Sequence, residues 1–347
     1  MVRFMKQRIV WLDFAKGFTM LLVIVAHCVG NIVRHADVQS NTLVFMHILQ
    51  YYSYLIIMPV FFAISGYLFN PDKIDSWKKY RNLLKKKAFQ LGVPYIFFSV
   101  FLTFCAIILN IKMSVISSPT DLLLIFVRPI GYLWFLYALY LCFVVVGLFQ
   151  LFNIKMTQQF LIYLILTILF EFVPNTNFFA FFFQVFSWIL CFYIGIVLKT
   201  KKYILYNKLY LVIALLSFTI SSFLQIMLDK SWYAHSDFFQ FSNTLAKLSC
   251  ILLVFKLYIS VNKNNIIVRT FAKYGVDSLI IYLIHPIIIV ILRKVFLNIG
   301  IDNSIFLLIL MTFLTWYICI VSIKIIKKVK LFDIIFYPTK YINLGSV

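Results

Sequence analysis

Long apolar runs separated by short polar connections fill this chain, and their lengths predict an all-α bundle of about ten membrane-spanning helices. The runs lie at residues 9–32, 50–69, 93–110, 131–151, 159–173, 177–198, 209–228, 239–261, 277–298 and 304–325. Each except the fifth approaches the ~20 residues that a helix needs to cross a bilayer. The fifth is short and stops before Pro174, which predicts a tight hairpin with the sixth. No Gly-, Ser- or Pro-rich linker divides the chain, so a single transmembrane domain over residues 1–347 is expected. No cleavable leader is evident, because the first run is too long for a signal h-region.

That first run carries charge where a lipid-facing helix should carry none. Asp13, Lys16 and His27 sit inside it. At 100° per residue all three fall within about 60° of arc, together with Met20 and Asn31. Lys16 and His27 are about 16 Å apart along the axis. Ionisable side chains inside a span face a protein interior or a wet cavity, because exposure to lipid costs roughly 2.5–3.5 kcal/mol each. A polar seam therefore runs up the first helix. Asp13 lies three residues before Lys16, close enough to pair with it and lessen its burial cost.

Composition agrees with the pattern: 63% of the residues are hydrophobic and 12% charged. Soluble domains are near half apolar and a quarter charged, so an integral membrane protein is indicated. The formal net charge of +21 raises the question of nucleic acid, which its distribution answers. With the N-terminus inside, 24 Lys and Arg fall in inner segments and 6 in outer loops. That is a positive-inside bias, so both termini are expected in the cytoplasm and no nucleic-acid partner is expected. The six cysteines lie in or beside apolar runs without CxxC spacing, as small buried residues do.

The longest inner connection, 70–92, alternates Lys78, Lys79, Arg81, Lys85, Lys86 and Lys87 with Leu83, Leu84 and Phe89. This spacing predicts an amphipathic helix at the inner interface before Pro94. Further candidates come one by one. His27, near the outer end of the first run, is the side chain best suited to proton transfer near neutral pH. Ser65 and Gly66, in MPVFFAISGYLF, form a small-residue notch for close approach. Trp134, in GYLWFLYALY, belongs to an aromatic belt or a pocket wall. His285 precedes Pro286, and a kink there would set it on a cavity wall. His35, His47 and His235 read as loop histidines. No HExxH, Cys/His set, Walker loop or GxSxG is present, so no metal site and no nucleotide- or serine-based chemistry is expected.

RIVWLDFAKGFTMLLVIVAH, MPVFFAISGYLF, the basic segment leading to Pro94 and Tyr95, YLWFLYALY and SLIIYLIHP follow one another in the order found in a known family. The chain resembles the acyltransferase-3 family of integral membrane O-acyltransferases, in the branch of fucose 4-O-acetylase and polysaccharide O-acetyltransferases. One departure is Lys16, where much of the family has Arg; it keeps the charge but not the bidentate fork. The resemblance implies a multi-pass enzyme of a bacterial plasma membrane. It would move an acyl group, usually acetyl, from cytoplasmic acyl-CoA to a hydroxyl of an extracytoplasmic or lipid-linked glycan. Acetyl-CoA is then a co-substrate and no cofactor stays bound. The remaining partners are the glycan acceptor, the bilayer and glycan-assembly proteins.

On that reading His27 is the general base, with Lys16 and Asp13 beside it in the catalytic seam. His285, Ser65 and Trp134 line the cavity. Arg81, Lys85, Lys86 and Lys87 receive the phosphates of CoA, for which cations are the natural partners. Direct transfer and a covalent acyl-enzyme are both compatible with these residues. The chain ends about twenty residues after the tenth run, so it is expected to acylate its acceptor itself or hand the group to another protein. A flippase of lipid-linked glycan is the alternative from another class, since intramembrane Lys16 and His27 also suit a translocation path.

Overall fold

Helices form where the apolar runs lie. The structure is a computed structural model and describes residues 9–108, 119–172, 180–233 and 239–342. In chain order they are α1 Val10–His35, α2 Ser40–Leu68, α3 Trp77–Lys87, α4 Val93–Ile108, α5 Trp134–Leu151, α6 Met156–Glu171, α7 Ala180–Thr200, α8 Lys208–Leu228, α9 Phe241–Ser260, α10 Ile266–Gly275, α11 Ser278–Asn298, α12 Ser304–Ile326 and α13 Lys330–Phe336.

Among the described residues eight helices, rather than ten, are long and apolar enough to cross a bilayer. The shortfall is in the fifth and sixth runs. Helix α6 has 16 residues, about 24 Å at 1.5 Å each, against a hydrocarbon core of about 30 Å. Helix α7 has 21 residues, of which the stretch Val185–Thr200 counts among the shorter apolar helices of the described residues. A second difference lies in the expected outer loop 33–49, most of which is helix. Leu43 to Gln50 contain neither Gly nor Pro, and α2 begins at Ser40 with the Leu43 N–H bonded to the Gln39 carbonyl at 2.8 Å. His47 is therefore a helical residue, stacked on Tyr233 with ring centroids 3.6 Å apart. His235 lies outside the described residues.

Three prolines sit inside spans, and each orphaned carbonyl is dealt with locally. A proline removes the N–H that would satisfy the carbonyl four residues earlier. Pro59 frees Leu55, whose carbonyl accepts from the Cys250 thiol at 3.2 Å. Pro94 frees Gln90, and there the chain widens into a π-type turn, Ala88–Gly92, that joins α3 to α4. Pro286 frees Tyr282, and the consequence belongs to the site below.

The chain forms two compact units. One comprises Met1–Ile64 with Val197–Ile325, and the other Ser65–Ile196 with Ile326–Val347. In the first unit α1 packs on α9, α10 and α11, and α8 packs on α9. Helix α8 is arranged as a membrane helix. Leu209, Val212, Leu216, Ile220, Phe223 and Met227 are exposed, whereas Ser221, Ser222 and Gln225 are buried. A water-facing helix would reverse this, and lipid permits it because Ser221 and Gln225 bond inward. Ser221 Oγ donates to the Ser242 carbonyl at 2.6 Å, and the Tyr51 hydroxyl donates to Gln225 Oε1 at 3.0 Å.

In the second unit α3 lies against α5, with the Tyr80 hydroxyl donating to the Val144 carbonyl at 2.9 Å. A Cβ on Gly147 would come within 2.9 Å of the Tyr80 ring, so glycine is needed there. The 119–130 connection is held by the Tyr95 hydroxyl on the Ile125 carbonyl and by the Tyr137 hydroxyl on that of Phe126, at 2.6 Å. All six cysteines are free, as their spacing predicts.

Candidate functional site

The seam on α1 exists as a physical feature. Asp13, Lys16, His27 and Asn31 are each half-buried; Met20 on the same stripe is buried, as are Ala15, Ile24 and Cys28. Lys16 Nζ donates to Asp13 Oδ1 at 2.7 Å, the ion pair that the i, i+3 spacing predicts. This pair lies where α1 makes its closest backbone approach. Gly17 faces the carbonyl of Phe271 in α10, and Gly275 faces the carbonyl of Asp13. Nearby, Phe14 and Phe18 of α1 pack edge-on against Phe271, and Phe14 also against Tyr258, while the Thr19 and Tyr258 hydroxyls share a buried hydrogen bond of 2.8 Å.

Higher on α1, His27 meets His285. Their ring centroids are 5.1 Å apart and the planes are inclined by 52°. Tyr54 of α2 stands edge-on to His27 at 6.3 Å. His285 is fully buried, and its Nδ1 lies 2.9 Å from the Ile281 carbonyl. A carbonyl only accepts, so this nitrogen carries the proton, and the neutral ring keeps its lone pair on Nε2. The imidazole also interacts with the Tyr282 carbonyl, the one that Pro286 leaves without its helical donor. The His-Pro sequence thus supplies both the ring and the free carbonyl that helps to hold it.

Arg34 belongs to this site as well, although by sequence it is only an outer-loop cation. It lies on the His27 stripe, about 20° away after seven residues. Its Nε donates to the Gly30 carbonyl at 2.7 Å, which folds the guanidinium back along α1 to within electrostatic reach of His27. Extending the seam one turn past Asn31 would have found it. Asn31 itself donates to the His27 carbonyl at 2.9 Å.

The structure therefore brings together His27 with His285, and Asp13 with Lys16, all in the first unit. The other candidates lie in the second unit. Ser65 is half-buried on α2, and Gly66 beside it faces the Phe192 carbonyl so closely that any Cβ would overlap it. Trp134 packs on Trp188 with centroids at 5.5 Å. On α3, Arg81, Lys85 and Lys86 are exposed and Tyr80 and Leu83 are buried, the two-faced helix that the alternation predicts. Lys87 differs from its neighbours, because its ammonium lies 4.1 Å over the Phe143 ring. Among the described residues no cluster of His, Cys, Asp and Glu is suited to a metal ion.

A bundle of eight candidate spans, with a His27–His285 contact and a part-buried ion pair on one polar helix, defines a multi-pass membrane protein. The chain belongs to the acyltransferase-3 family, whose acyltransferase domain matches residues 9–324. It is thus a multi-pass membrane protein of an acyltransferase family. It is similar to Nodulation protein NolL of Mesorhizobium japonicum (32% identical over 146 residues, 41% of this chain and 36% of the relative). It is also similar to Nodulation protein NolL of Sinorhizobium fredii (31% over 147 residues, 41% and 37%). The match thus spans little more than a third of the length of these curated bacterial relatives. No solved structure matches the chain.

Proposed function

We propose that this protein transfers an acyl group, acetyl by preference, from cytoplasmic acyl-CoA to a hydroxyl of an extracytoplasmic or lipid-linked glycan. The observation that carries the reading is the contact of His27 with His285 on the polar helix of an acyltransferase. His27 takes the proton of the acceptor hydroxyl as its oxygen attacks the thioester carbonyl carbon; the carbon–sulfur bond breaks and CoA leaves as the thiolate. His285, with its proton held on Nδ1 by Ile281, presents a second lone pair one ring away and supports the imidazolium that His27 becomes. Lys16, paired with Asp13, offers a positive charge to the acyl carbonyl or pantetheine on the inner side. Both termini are cytoplasmic in this reading, as the 24-to-6 distribution of basic residues supports.

Purified protein in lipid, given acetyl-labelled acetyl-CoA and cell-surface glycan, is expected to deliver label to the glycan. A flippase would move glycan and transfer no label. The exposed cations of α3 supply a second expectation. Replacing Arg81, Lys85 and Lys86 together by Gln should raise the KM for acetyl-CoA several-fold and flatten its dependence on salt, because screened phosphate contacts are lost. An unchanged KM would confine these residues to setting membrane orientation.

A further inference from the structure

Beyond the His27 end of α1 the first unit holds a cavity of about 450 Å³. That volume lies within the ~300–1,000 Å³ usual for small-ligand sites. Its wall combines Asp37, Gln39 and Thr42, from the α1–α2 connection and the start of α2, with Asp302, Asn303 and Ser304 before α12. Two carboxylates, two amides and two hydroxyls form a set that bonds vicinal hydroxyls from either side, as donor and as acceptor. Asn303 uses its Oδ1 to cap α12 at the Phe306 N–H, 2.9 Å away, which leaves its NH₂ to donate. Neither Asp37 nor Asp302 is paired with a lysine or arginine among the described residues, so both carboxylates are available as acceptors at the wall.

The cavity is connected to the histidines by position along two helices. Leu297 closes it from α11, and one turn earlier on the same face stands Arg293, whose Nε is buried with no hydrogen-bond partner among the described residues. Arg34 lies within electrostatic reach of Arg293 and folds back toward His27. Polar groups thus follow one another from the cavity through Arg34 and Arg293 to His27 and His285. His35, the last residue of α1, is about 12 Å beyond His27 along the axis, and Asp37 follows it. One sugar ring does not bridge that gap.

We propose that this cavity is a distal acceptor subsite for an uncharged, hydroxyl-rich sugar unit, neighbouring the unit that is acylated, in which Asp37 and Asp302 bind hydroxyls and exclude anionic sugars. The inference rests on the acyl-transfer reading above for the word acceptor, and on the outward orientation of the His35 end of α1. The carboxylates determine the class. At the wall itself a uronate or a phosphate would meet two like charges, whereas a neutral ring meets hydrogen-bond acceptors and donors.

Saturation-transfer NMR on the full chain in lipid nanodiscs, without acyl-CoA, tests it. The probes are neutral trisaccharides of glucose, galactose and N-acetylglucosamine, with trigalacturonate as the anionic counterpart. At least one neutral trisaccharide should be saturated and trigalacturonate should not. Asp37→Ala with Asp302→Ala should lower that signal at least threefold. Asp37→Asn with Asp302→Asn, which keeps the shape and removes the charge, should admit trigalacturonate. Equal saturation of trigalacturonate by wild type, no saturation of any neutral probe, or an unchanged signal in the alanine variant overturns the proposal. Because binding is read without acyl-CoA, saturation that persists in a protein unable to transfer label fails the acyl-transfer reading and leaves the subsite standing. Label transfer with no saturation fails the subsite alone.

Discussion

His27→Ala is expected to remove acyl transfer to glycan, by at least the ~10²–10⁴-fold that loss of a general base costs, while the protein inserts and melts as wild type does. The expectation follows from where the ring stands. It is half-buried, toward the outer end of a polar seam, with a second imidazole 5.1 Å away. His285 is fully buried and tied to the Ile281 carbonyl, so it serves better as support than as the group that meets the acceptor. His285→Ala should therefore lose activity by a smaller factor than His27→Ala, and it should also lower the melting temperature because it empties a buried site between helices. The decisive measurement is turnover of labelled acetyl-CoA to glycan by the two variants at equal membrane content. Near wild-type turnover in His27→Ala, with a collapse in His285→Ala, would exchange the two roles.

Much of this arrangement was legible because bilayer thickness and helical rise are fixed. The runs at 9–32, 209–228, 277–298 and 304–325 each fall within a few residues of α1, α8, α11 and α12. The Asp13–Lys16 pair was legible too, since three residues along a helix is a contact distance. The meeting of His27 with His285 was not, because nothing in two distant apolar runs states which faces oppose each other. Nor was α10 visible as an element. Its ten residues, Ile266–Gly275, read as an inner loop carrying Arg269 and Lys273, and its helical face becomes meaningful only against α1. The start of α2 went unread for a related reason. His47 and Gln50 interrupt the apolar count, but they do not interrupt the helix. Length and hydropathy locate helices well; pairing depends on small residues and polar contacts that carry no periodic signal.

Those small residues lead to the other large effect. Gly275→Ala should destabilise the first unit by more than the ~1–3 kcal/mol typical of an overpacked core, because the obstacle is backbone and not a side chain that can turn away. A Cβ at Gly275 would overlap the Asp13 carbonyl oxygen and lie 2.7 Å from the Gly17 amide nitrogen. Neither atom can move without shifting α1 or α10. The shift would propagate, since Gly275 is the last residue of α10, and α11 begins three residues later and carries His285 ten residues on. The contact thus sets both the depth of the Lys16–Asp13 pair and the alignment of His285 with His27. A lower melting temperature should accompany a loss of acyl transfer even in the folded fraction. Gly17→Ala, which drives a Cβ into the Phe271 carbonyl from the other side, should reproduce the effect. Gly92→Ala is the control, because its Cβ would meet no atom within 4 Å. Melting curves of the three variants in the same detergent decide the matter. If Gly275→Ala melts with Gly92→Ala and wild type, α1 and α10 do not meet at these glycines, and the site assembled on α1 loses its foundation.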